Sequence, residues 1–168
     1  DLDLVSEITL SKPIIQQIEN TGSIPTGSVV QYFYRLLDTD GRETIYSPGS
    51  QIIDLQETLS SDSGVSYYEH LTTPAGTTNN KALTIEIKDV DQDYDIIELY
   101  VVIWEALDVP TVYKVEDKLV SSAIETFTHT SMDNLINIPF VSFMEVGIPF
   151  TAKTIDNRDK SLIAGNNK

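Results

Sequence analysis

The strongest constraint on this chain is a two-residue alternation of apolar side chains in short segments separated by turn residues. Ala82–Lys88 places Leu, Ile and Ile on one face and Thr, Glu and Lys on the other, which predicts a half-buried strand. Val29–Leu37 is rich in β-branched and aromatic residues on both faces, and Ile96–Trp104 is almost continuously apolar, so both predict central strands. No long segment carries a capped helical period, so the sequence predicts an all-β chain.

Shorter strands are expected around these three. An Asp-Gly turn at 38–41 predicts a hairpin whose return strand covers residues 42–46 and ends at a Ser-Pro-Gly turn. Further short strands are predicted at residues 51–55, 65–71 and 112–115. Only short helical turns are expected, near residues 118–123 and 131–135. Roughly seven to eight short strands with frequent turns predict an antiparallel sandwich.

The residue patterning of the sequence divides the chain into three parts. Residues 1–12 alternate weakly and are expected to form a leading strand or a linker. The sandwich is expected over residues 13–118, and residues 119–168 are expected to form an extended arm that leads into, or docks on, a further domain. Because apolar residues on such an arm need a surface to cover them, they are predicted to contact a partner. The predicted interaction residues are Phe140, Phe143, Met144 and Phe150.

The net charge of −15 limits the classes of partner. Binding to a nucleic-acid backbone needs clustered Lys and Arg, so this charge argues against direct nucleic-acid binding, and also against anionic membrane surfaces. The longest apolar run, Ile96–Trp104, is shorter than the roughly 20 residues that span a bilayer, so no membrane insertion is expected. The chain has no cysteine, which excludes a disulfide framework, a thiolate metal site and a cysteine nucleophile.

Asp89, Asp91 and Asp93 are the candidate metal ligands, because alternating carboxylates begin a calcium-binding loop. The pattern then departs from an EF-hand loop, since Tyr94 stands where that loop needs Gly and Tyr100 where it needs Glu. The alternative is a solvated acidic turn between two strands, and these departures favour it.

Patterns typical of catalysis are missing from the sequence. His70 and His129 lie far apart without the spacing of a zinc site, and both are expected in surface or loop positions. There is no Gly-x-Ser-x-Gly elbow and no phosphate-binding glycine loop. The sequence therefore predicts a protein that is not an enzyme and that needs no cofactor.

A first family resemblance rests on the segment LTIEIKDVDQDY at 83–94, which leads into Ile96–Trp104, with Val29–Leu37 as a second central strand. Over residues 13–115 the chain resembles a fibronectin type III domain, which implies an immunoglobulin-like antiparallel sandwich. The resemblance also implies that Tyr94 is a corner tyrosine whose hydroxyl binds backbone. The sequence departs from the family in lacking an early Trp, because Trp104 ends a late strand.

A second resemblance rests on four phrases, GSVVQYFYR at 27–35, DGRETIYSP at 40–48, DVDQDYDIIELY at 89–100 and AKTIDNRDKSLIAGN at 152–166. Together they resemble virion structural proteins of tailed crAss-like phages, of the tail stabilisation or muzzle type. The resemblance implies a structural and assembly role in the tail or neck of a virion. It also implies an oligomeric setting whose partners are other virion proteins or further copies of this chain.

Two other functions stay open at this point. The chain could be a cell-surface or secreted module that recognises glycan or protein, with Tyr67 and Tyr68 as stacking residues, or an accessory domain of a secreted glycoside-active enzyme. Both would make it extracellular. Aromatic residues on strands are more often core or cross-strand pairs than ligand platforms, which favours the structural interpretation.

Overall fold

The computed structural model describes residues 9–19, 21–26, 28–55, 77–78, 81–104, 110–145, 152–158 and 161–167. Twelve strands and one short helix lie within these residues, and they confirm the predicted all-β class. The strands are β1 (Ile14–Glu19), β2 (Pro25–Thr26), β3 (Val29–Leu37), β4 (Ile53–Asp54), β5 (Thr77–Thr78), β6 (Ala82–Lys88), β7 (Ile96–Trp104), β8 (Thr111–Leu119), β9 (Ile124–His129), β10 (Ile136–Ile138), β11 (Ala152–Arg158) and β12 (Ser161–Asn167). The helix is α1 (Phe140–Glu145).

Two antiparallel sheets enclose one core. The first has three strands in the order β1-β6-β9, and the second has five in the order β10-β8-β7-β3-β4. Buried side chains from both sheets form one apolar cluster between them, which confirms the predicted sandwich. Two smaller sheets pair β2 with β5 and β11 with β12. The fibronectin type III subtype of the sandwich stays a prediction.

Alternating positions of β3 and β6 build the core. The inward residues of β3 are Val30, Tyr32, Tyr34 and Leu36, and those of β6 are Leu83, Ile85 and Ile87; all are fully buried. Burying a large apolar side chain contributes roughly 1.5–3 kcal/mol relative to leaving it exposed. The alternation read from the sequence therefore assigned the core face of β6 correctly, whereas for β3 it predicted a central strand without a choice of core face.

Strand β7 is buried on both faces. One set of its residues faces the core between the sheets, and Tyr100 and Val102 belong to a second apolar cluster on the outer face of the five-stranded sheet. A strand covered on both sides carries mostly apolar residues, which explains the nearly continuous apolar run; its buried charge, Glu98, is paired with Arg35 and Lys114.

The turn after β3 forms, but its predicted return strand does not. Asp38 accepts backbone N–H groups within the turn, and Gly41 adopts a φ of 86°, which glycine tolerates without strain. Beyond the turn, Glu43 forms an isolated bridge with Leu37. The prediction of a strand over 42–46 is therefore wrong.

Three hydroxyl residues spaced three apart pair the edge of β3 instead: Thr44, Ser47 and Ser50, here called the hydroxyl ladder. Each donates its backbone N–H to a β3 carbonyl at 2.8–2.9 Å and accepts the N–H of the same β3 residue on its side-chain oxygen at 3.0 Å. The β3 partners are Leu36, Tyr34 and Tyr32, in that order. Each hydroxyl donates its own proton to the carbonyl of the next residue, which leaves a lone pair for β3.

Several chain segments differ from their predicted structure. The strand expected at 112–115 extends over the whole of β8, and the one expected at 51–55 is the two-residue β4. Residues 65–71 lie outside the described residues. The helical turns expected near 118–123 and 131–135 are wrong, because the first is the end of β8 and its following loop and the second is a turn.

Residues beyond 118, assigned from the sequence to an extended arm, contribute strands to both sheets. β9 pairs with β6, and β10 pairs with β8, both in antiparallel register. α1 follows β10 after the single residue Pro139. No helix in the described part of the chain has the length and apolar character needed to cross a membrane.

Candidate functional site

Three aromatic side chains, here called the aromatic seat, lie on the outer face of the five-stranded sheet. Phe33 comes from β3, Tyr100 from β7, and Tyr46 from the segment that carries the hydroxyl ladder. Phe143 of α1 packs among them, with its ring centroid 5.3 Å from that of Phe33, 4.3 Å from Tyr46 and 6.3 Å from Tyr100. The seat exists because alternate positions of β3 and β7 turn away from the core.

A charged cluster beside the seat joins three neighbouring strands. Arg35 Nε of β3 lies 2.7 Å from Glu98 Oε2 of β7, and Lys114 Nζ of β8 lies 3.2 Å from Glu98 Oε1. The Tyr100 hydroxyl donates to the same carboxylate. The Arg35 guanidinium also lies 5.6 Å from the ring centroid of Tyr46, close enough for a cation–π contact.

The protonation states of this cluster are set by burial and by its hydrogen bonds. Burial opposes ionisation of Glu98, but hydrogen bonds from Tyr100 and Arg35 outweigh it and hold the pKa of that carboxyl below its usual value. Burial, reinforced by the hydrogen bond to Glu98, raises the pKa of the Tyr100 phenol. The Glu98 carboxylate is therefore bound by Arg35, Lys114 and Tyr100, and these contacts hold β3, β7 and β8 together.

The candidate calcium ligands lie on the turn between β6 and β7. Asp89 adopts a φ of 53°, and Asp91 Oδ1 accepts the backbone N–H of Asp93 at 3.0 Å. Asp stabilises turns through such local hydrogen bonds. In the part of the chain that the structure describes, no three His, Asp or Glu residues form a group that could hold a metal ion. The hydrogen bonding observed here is that of an acidic turn.

Tyr94 has a different environment from the one that the fibronectin resemblance implies. Its ring packs partly buried against the core, and the Arg42 guanidinium lies 5.9 Å from its centroid. The hydroxyl makes no hydrogen bond to another described residue. The implied corner hydrogen bond is therefore not seen among these residues.

The predicted interaction residues divide into two groups. Phe143 is 8% exposed in the aromatic seat, and Phe140 packs at the edge of the same cluster. Both thus pack on the sandwich of their own chain in this structure, because its outer face is aromatic. The side chain of Met144 and all of Phe150 lie outside the described residues.

Two buried polar residues of β9 were not identified as such from the sequence. His129, expected in a surface or loop position, is buried in the core, and this expectation is wrong. Glu125 is 3% exposed and accepts hydrogen bonds from Ser121 and Ser122, with Lys118 Nζ at 2.8 Å. Burial alone would raise the pKa of Glu125, but the contact with Lys118 and these hydrogen bonds lower it to about 2. The available signal was the alternation of Glu125, Phe127 and His129 along one strand face.

A comparison with protein families matches this chain along its full length. The family model described as Crassvirus muzzle protein matches residues 1–168. No curated protein matches the chain. The family match confirms the resemblance to virion proteins of crAss-like phages and locates the protein in the phage virion with a structural role. The chain belongs to the Crassvirus muzzle protein family.

Proposed function

We propose that the protein is a non-catalytic structural module of the phage tail or neck that binds neighbouring virion subunits through residues 139–167. The observation that carries this proposal is the sheet of β11 and β12, whose strands pair with each other and with no other described strand. A lone two-stranded hairpin is at best marginally stable in water and needs a third strand or a packed surface. We infer that a neighbouring subunit supplies it.

Strand addition is the mode of contact that the hairpin supports best. Its antiparallel register pairs Ile155 with Ala164 and Asp156 with Ile163. An outer strand edge offers a row of N–H and C=O groups to a partner strand. In this proposal, the arm predicted at 119–168 begins after β10 and leads into, or docks on, a further domain.

The charge of the chain supports the same proposal. With a net charge of −15, direct binding to packaged or passing DNA is unfavourable, so the partners are other virion proteins or copies of this chain in an oligomeric assembly. Neither membrane insertion nor a cofactor is part of this function. The glycan-binding alternative rested on Tyr67 and Tyr68, which lie outside the described residues, and no observation favours it.

Amine cross-linking of purified virions with mass spectrometry tests the proposal. Lys153 of β11 should link to other virion proteins or form Lys153–Lys153 pairs, which require two copies. Lys88 of β6 is the control, because its side chain is half exposed on the sandwich and pairs with Glu86. If Lys153 gives neither kind of link while Lys88 reacts with the reagent, the proposal fails.

A further inference from the structure

The aromatic seat is a preformed surface that requires an occupant. Phe33 and Tyr100 project from two strands that pair along their whole length, and Tyr46 is held next to them by the hydroxyl ladder. None of the three depends on α1 for its position. Without α1 the seat would be an exposed aromatic patch next to Val102 and other apolar residues, and soluble proteins keep such patches covered.

The occupant seen here, α1, is held on the seat by Phe143, with Phe140 at the edge of the same cluster. The helix has six residues, with no acidic residue in its first turn and no basic residue in its last. Helices shorter than about 12 residues are marginal in water, so α1 depends on its contact with the seat. Val141 on the same helix is 65% exposed, which shows that the contact uses one face only.

The connection to α1 is short and stiff. Pro139 is the single residue between the end of β10 and the start of α1. Proline fixes φ, and it lacks the N–H that would tie the connection to neighbouring backbone. Exchange of an identical element between copies costs little, because the same side chains meet in both arrangements, and short hinge loops invite it.

We propose that in the assembled particle α1 is exchanged, so that Phe143 of one copy fills the aromatic seat of a second copy of this chain. This inference rests on the proposed function, because exchange needs copies held side by side. Neighbours in an assembly present α1 to each other's seat at a high effective concentration. The seat accepts the helix of a second copy because it already fits the same Phe143 in this structure.

Because the natural chain has no cysteine, paired thiols test this exchange cleanly. Two differently tagged full-length chains, one carrying Tyr46→Cys and the other Phe143→Cys, are co-expressed, treated with a short bis-maleimide and analysed for cross-tag product. The matched control replaces Phe143→Cys with Val141→Cys, on the exposed face of the same helix. Phe33→Cys replaces Tyr46→Cys in a second series, in case the first substitution disturbs the hydroxyl ladder.

Exchange predicts at least about fivefold more cross-tag product from the Phe143 thiol than from the Val141 thiol, because seating raises the local thiol concentration. Equal yields from the two positions, or an oligomer without cross-tag product, would overturn the exchange and leave the proposed function intact. If Lys153 makes no intersubunit link in virions, the proposed function on which the exchange rests is itself wrong.

Discussion

His129 is a titratable side chain in the middle of the core, with 2% of its surface exposed. Its Nδ1 lies 2.8 Å from the Tyr32 hydroxyl, and its Nε2 lies 3.0 Å from the Ser131 carbonyl oxygen. Since a carbonyl only accepts, Nε2 carries the proton and Nδ1 accepts from Tyr32. Burial lowers the pKa of His129 from 6.5 to about 4, so the ring is neutral in the folded protein.

This burial predicts a loss of stability in mild acid. Between pH 6.5 and about 4 the unfolded chain binds a proton at His129 and the folded chain does not, so the free energy of unfolding falls as the pH falls. The contribution of the neutral His129 ring to the free energy of unfolding is complete above pH 6.5, and its full loss amounts to about 3 kcal/mol. His129→Gln keeps a donor and an acceptor but does not titrate, so urea midpoints measured from pH 7 to pH 5 should change less in this variant.

The control is His70→Gln, which removes the other histidine of the chain and should keep the pH dependence of the unsubstituted protein. If His129→Gln and the unsubstituted protein show the same pH dependence, the loss of stability in mild acid does not come from His129. In the unsubstituted sequence only the alternation with Glu125 and Phe127 set His129 apart, because its burial depends on β9 pairing with β6, whose partner positions lie far away in sequence.

At the scale of elements, the hydroxyl ladder completes the edge of β3 where the sequence predicted a return strand. In a regular strand every second residue pairs with its neighbour, whereas in the ladder every third residue does. Thr44, Ser47 and Ser50 can do this because each bonds one β3 residue through both its backbone N–H and its side-chain hydroxyl. The ladder therefore leaves β3 without the open row of polar groups that promotes edge-to-edge association.

Ser47→Ala should destabilise the protein by roughly 1–3 kcal/mol, because the buried Tyr34 N–H loses its acceptor and remains desolvated. Urea unfolding, followed by the fluorescence of Trp104, measures the loss in free energy. Amide hydrogen exchange should also become faster at Tyr34 than in the unsubstituted protein.

Ser142→Ala is the matched control, since Ser142 is an exposed position on α1, and its urea midpoint should not change. If Ser47→Ala leaves both the midpoint and the exchange at Tyr34 unchanged, the hydroxyl does not have the role assigned to it. The sequence could not have shown this ladder, because Ser-Pro-Gly reads locally as a turn and only the proximity of β3 converts the hydroxyls into strand partners.

At the scale of the whole molecule, the sandwich and the terminal hairpin share no strand pairing in the described chain. A chain ending at residue 145 should therefore unfold at nearly the same urea concentration as the full chain. The loss of β11 and β12 removes a sheet whose strands pair with no other strand in the described ranges. Circular dichroism and Trp104 fluorescence should give coincident transitions in both chains.

A chain ending at residue 123 is the contrasting control. It lacks β9, and with it the fully buried Phe127 and one edge of the three-stranded sheet, so it should be unfolded or strongly destabilised. A chain ending at residue 145 that is much less stable than the full chain would mean that the hairpin packs on the sandwich of its own chain.

The sequence by itself determined the all-β class, the core face of β6, the central positions of β3 and β7 and the family. Alternation and contiguous motifs are local properties, and they can be recognised without knowing which segments contact each other. The tertiary structure alone decided that β9 and β10 join the sheets, that a hydroxyl ladder replaces the predicted return strand and that Phe143 finds its seat on the chain's own sheet. Each of these outcomes depends on contacts between distant segments, so no local pattern could encode it. Of the predicted interaction residues, Phe140 and Phe143 are the ones whose contacts the structure describes, and both pack on the sheet of their own chain.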